Sequence, residues 1–108
     1  MLSFNEIYSR ELFFAIEELI LNDTVIKLDQ YEEEKINHLY KITVTFKVTS
    51  ADYHDITTLL YEGTFDVRIP DRQLAFKATI EQYSTSITNL YEKGQVGVFQ
   101  LSILETNH

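Results

Sequence analysis

His54 has the widest chemical repertoire of any residue in this sequence, because imidazole changes charge near neutral pH and ligates metals through either nitrogen. It stands between Asp52 and Asp55, and carboxylate with imidazole is an ordinary donor set for a divalent metal or for acid–base work. Successive helical positions diverge by about 100°, however, so these three neighbours do not converge on one ion if the segment is helical. Carboxylates in a first helical turn have a simpler use, since they offset the positive end of the helix dipole and satisfy free N–H groups. That is the reading for Asp52 and Asp55, with His54 left as a ligand- or partner-contacting residue at the mouth of any nearby pocket. Ser84 and Ser86 would make a nucleophile for a His54 base, but no Gly-x-Ser-x-Gly elbow is present. Hydroxyls in a non-repetitive stretch more commonly satisfy backbone groups. No catalytic residue is assigned. Tyr83 to Gln95 is read as a long connection, and its Tyr83, Ser84, Asn89 and Tyr91 have the rigid area and adaptable hydrogen bonding that suit ligand or partner contact.

Composition removes several chemistries. There is no cysteine, hence no thiolate metal site, disulfide framework or Cys nucleophile. Glu32-Glu33-Glu34 lacks the Gly-containing Asp/Asn spacing of a calcium loop, and like charges in a run prefer water, so a solvated hairpin loop is expected there. No metal and no cofactor is expected. Seventeen acidic against nine basic residues give a net charge of -8, which a phosphate backbone or an anionic membrane surface would repel. The first 21 residues carry five charges and no basic leader, so neither a signal peptide nor a membrane span is expected, and a cytoplasmic location follows.

The elements that would position these residues centre on Lys41 to Pro70. Ile42, Val44, Phe46 and Val48 alternate with polar residues, as do Phe65, Val67 and Ile69, the period of a strand with one buried face. Between them Tyr53, Ile56, Leu59 and Leu60 fall at helical spacings, predicting a helix over about 51–62, capped near Thr49-Ser50 and ended by Gly63. That helix either closes a layer or serves as a parallel crossover. Further strands are predicted at about 18–22, 25–31, 74–81 and around Phe99 to Ile103, with a tight hairpin at Asn22-Asp23. Ser3 to about Glu18 reads as an amphipathic helix. The expected fold is α+β and strand-dominated, with about six mostly antiparallel strands in a sandwich or partial barrel around the central helix. Residues 1–17 are expected to form a helical extension and residues 18–106 a single strand-rich domain.

Tyr53-His54-Asp55, Leu59-Leu60-Tyr61-Glu62, Phe65, Val67, Pro70, Leu74-Ala75-Phe76, Tyr83 to Ser86 and Thr88 to Glu92 form a long ordered set. On these residues the chain resembles the YkvR-like family of small uncharacterised Bacillus proteins, from about Leu19 to Glu105. The resemblance implies a compact strand-rich domain and carries over no catalytic residue. Phe4, Phe13 and Phe14 lie outside it, and apolar residues that their own domain cannot bury are buried on a second copy or another protein. The functional expectation is a non-catalytic protein-interaction or assembly module that docks a protein partner or forms a homodimer. The alternative is a small-molecule-binding domain or minor hydrolase with a pocket between sheet and helix.

Overall fold

In the computed structural model, which describes residues 16–86 and 95–106, the alternating segments become seven strands. They are β1 (Glu18–Leu21), β2 (Thr24–Lys27), β3 (Gln30–Ile36), β4 (Leu39–Thr49), β5 (Thr64–Ile69), β6 (Leu74–Ser86) and β7 (Val96–Glu105). The single α-helix among the described residues, α1, spans Tyr53–Leu60. All pairings are antiparallel and make one sheet in the order β2-β1-β5-β6-β7-β4-β3. The predicted N-terminal helix lies outside the described residues.

Local chemistry explains most of the turns. Asn22 adopts φ 56° at the β1–β2 turn, a conformation that Asn tolerates. Its side chain then ties the turn to β5, because the Asp66 N–H donates to Asn22 Oδ1 at 2.8 Å. Asn37 and His38 take φ 54° and 71°, the pair of left-handed residues that closes a two-residue hairpin. That hairpin corrects the expectation of a loop at Glu32-Glu33-Glu34, which is strand instead: β3 pairs residue by residue with β4 from Gln30↔Thr45 to Ile36↔Leu39. A strand was missed there because three adjacent carboxylates mask the period of two. Similarly, Tyr83 to Ser86 continue β6 rather than opening a loop. The register with β7 shifts between Ile80 and Gln82, so Glu81 is an extra residue that swaps the faces of everything after it.

The inner face of the sheet holds the core, including Leu19, Leu21, Ile42, Val44, Phe46, Phe65, Val67, Phe99 and Leu101. Helix α1 lies over that face, burying Leu59 and Leu60 and setting Tyr53 edge-on to Phe99, ring centroids 6.2 Å apart. Because β4 and β5 are antiparallel and separated by β6 and β7, α1 is not the parallel crossover that remained an alternative. Its eight residues give about 12 Å, close to the width of the two strands it bridges.

Among the described residues, strands β2 and β3 are the two edges of the sheet, yet only Leu28 and Asp29 separate them in the chain. The Leu28 N–H donates to Glu17 O on the β1 side and the Asp29 N–H to Thr45 O on β4, both at 2.8 Å. The chain therefore changes partner within one residue, and the sheet has to bend for both edges to meet there.

Candidate functional site

Along β3 the pleat sends Gln30, Glu32 and Glu34 outward and Tyr31 and Glu33 inward, as the burial of Tyr31 beside exposed Gln30 and Glu32 confirms. The outward residues continue across the sheet. Gln30 pairs with Thr45, Thr45 with Gln100, and Gln100 with Ser84, while Glu32, Thr43, Ser102 and Gln82 make the next row. An open cleft of about 470 Å³ runs along β3, lined by Asp29 to Glu32, Thr43, Thr45 and Gln100. A second, of about 170 Å³, is lined by Gln82, Ser84, Gln100 and Ser102. Both are floored by hydroxyls and amides, with Thr43 and Ser102 sharing a hydrogen bond of 3.1 Å.

Ion pairs frame this window. Lys47 meets Asp29 at 3.3 Å on one side. On the other Lys41 meets Glu81 at 2.9 Å and stands 4.0 Å from Glu34. The hydrogen bond to Glu81 raises the Lys41 ammonium above its ordinary pKa. The Glu32 carboxylate has no hydrogen-bond or ion-pair partner among the described residues.

The inward side of β3 is the opposite case. The Glu33 side chain is only 6% exposed. It accepts from Arg72 Nε at 3.0 Å, from Arg72 Nη2 at 2.7 Å and from the Tyr31 hydroxyl at 2.7 Å. Burial, followed by the bond to Glu33, drives the Tyr31 phenol far above its ordinary pKa. Neither Glu33 nor Arg72 stood out as a candidate in the sequence. Its only trace there is that Glu33 shares the parity of Tyr31, the inward phase of the strand.

The residues singled out from sequence are dispersed. His54 is exposed in the first turn of α1, on the inner side of the sheet. Tyr83 also faces inward, half exposed at 49%, stacked on Phe99 at 6.4 Å with the rings 1° from parallel. Ser84 faces outward into the second cleft, so the sheet stands between Ser84 and His54, and the pair makes no nucleophile and base. The alternative reading placed a pocket between sheet and helix. Among the described residues that space is packed with Tyr53, Ile56, Leu59 and Leu60 against the core, and the two clefts open on the far face. No group of three or more His, Asp or Glu among the described residues is placed to hold a metal ion. Asn89, Tyr91, Phe4, Phe13 and Phe14 lie outside the described residues.

Residues 18–108 match the family model described as Protein of unknown function (DUF3219). The chain belongs to the DUF3219 family. Among relatives of this DUF3219 chain, the uncharacterized protein YkvR of Bacillus subtilis is 48% identical over 87 residues, 81% of this chain and 90% of YkvR. The NMR solution structure of that YkvR protein is similar at a TM-score of 0.58 and 46% identity, over 85% of this chain and 87% of the other. The resemblance read from the central residues is thus borne out over the strand-rich part of the molecule. No helix among the described residues is long and apolar enough to cross a membrane.

Proposed function

We propose that this DUF3219 protein is a non-catalytic, cytoplasmic protein-interaction module that receives an extended segment of a partner protein along β3. One observation carries the reading: a seven-residue strand with one edge unpaired among the described strands borders an open cleft that its Gln30 and Glu32 line together with Thr43, Thr45 and Gln100 of the neighbouring strands. An unpaired edge offers a ladder of N–H and C=O groups to an incoming strand, and a flanking cleft gives the alternate side chains somewhere to go. The bend at Leu28-Asp29 supports a finer architectural reading, a partial barrel closed at that corner. Phe4, Phe13 and Phe14 belong to the same proposal as the apolar residues through which a homodimer would assemble.

The test is photo-crosslinking in intact cells from a benzophenone residue placed at Ile36, at the end of β3, with Thr58 on the exposed side of α1 as control. Adducts mapping to one partner from Ile36 and absent from Thr58 are expected. Identical patterns from both positions, or none from Ile36, would remove the reading. Light scattering on the full chain, before and after exchanging Phe4, Phe13 and Phe14 for Ser, checks the assembly part. A dimer that becomes a monomer is expected, and a mass unchanged by the exchange counts against it.

A further inference from the structure

Resting on that reading, we infer that the segment accepted along β3 is basic, with two Lys or Arg residues two positions apart on the face it turns to the cleft. Glu32 and Glu34 project from the same side of β3, about 7 Å apart, and both are exposed. The Glu32 carboxylate has no partner among the described residues, and Glu34 is 4.0 Å from a Lys41 that Glu81 engages at 2.9 Å. Glu33, the third carboxylate of the run, turns inward and is neutralised by Arg72 at 2.7 Å. The edge therefore presents two carboxylates at a two-residue spacing, Glu32 without a counter-charge and Glu34 sharing Lys41 with Glu81, the repeat at which an added strand presents same-face side chains.

The same charges count against one form of the other obvious occupant, a second copy of this chain pairing edge to edge about Glu33. A two-fold antiparallel pairing of β3 on β3 centred on Glu33 sets Glu32 of each copy opposite Glu34 of the other, and like charges directly opposite destabilise a strand pair. The whole chain adds to this, at a net charge of -8. A basic segment gains from that same field during encounter.

The probe is a synthetic capped hexapeptide, Thr-Lys-Val-Lys-Thr-Val, titrated into the isotope-labelled full-length protein and followed by amide chemical shifts. Its charge-reversed form, with Glu in place of both Lys, is the control. Expected are shifts in the amides of Gln30 to Ile36 with the Lys peptide and none with the Glu peptide. Glu32→Gln combined with Glu34→Gln should weaken binding about three- to tenfold, the scale of two exposed ion pairs. Raising the salt from about 0.05 M to about 0.5 M should act in the same direction. Equal binding of the two peptides, shifts centred on β2 or α1, or no shift at all overturns the inference. If the peptides fail while crosslinks from Ile36 persist, the partner lies on β3 and is simply not basic. If both fail, the interaction reading falls with it.

Discussion

Glu33 is the carboxylate that this fold takes out of water, and the arrangement around it shows what doing so requires. Two guanidinium N–H groups and one phenol O–H converge on it, which is the geometry needed for a buried charge to recover its lost hydration. Arg72→Ala should cost about 2 kcal/mol in urea unfolding, less than a fully buried pair because Arg72 keeps 32% of its side-chain surface in solvent. A loss too small to measure would mean that the pair is already solvated. Tyr31 supplies a pH prediction. Its folded pKa is raised, by burial first and by Glu33 second, so the stability it contributes is complete below the ordinary phenol value of about 10 and is lost as pH rises above it. In ultraviolet titration, Tyr31→Phe should remove no phenolate absorbance from the native protein at the ordinary tyrosine midpoint. A drop equal to one tyrosine there would refute the burial argument. None of this was legible in Tyr31-Glu32-Glu33-Glu34, because pairing Glu33 with Arg72 joins residues 39 positions apart.

At the scale of elements, hairpins test how far local sequence sets geometry. Asn22-Asp23 was recognised as a turn because Asn is one of the few side chains that accept left-handed backbone. Asn37-His38 has the same backbone requirement at both positions, but His is a poorer signal than Gly. His38→Gly should therefore stabilise the protein by about 0.5 kcal/mol, a rise in Tm of about 2–4 °C by calorimetry. An unchanged or lowered Tm would show that His38 makes a contact worth its strain. The bulge at Glu81 shows the opposite limit. Leu74, Phe76, Ala78 and Ile80 alternate legibly, and then one inserted residue moves the core phase from even to odd numbers, bringing Tyr83 inward and Ser84 outward. Read as sequence, that phase change looks like the end of a strand, so a loop was expected where β6 continues.

For the whole molecule, Phe99 is where the parts meet. It is fully buried and packs with Phe46 of β4, Tyr53 of α1 and Tyr83 of β6. Phe99→Ala should cost about 3–5 kcal/mol in chemical denaturation, with α1 loosened in hydrogen exchange. A loss under about 1 kcal/mol would mean that the helix is held elsewhere. The inward phase of β4, β5 and β7, the helix at the centre and the family were all written in the linear chain, because periodicity and short-range turn chemistry act over a few residues. The order β2-β1-β5-β6-β7-β4-β3, the burial of Glu33, the opposite facing of Tyr83 and Ser84, and the cleft beside β3 were settled only by tertiary structure. Each depends on which distant strands become neighbours, a choice made by the summed burial of one apolar face rather than by any residue's own preference.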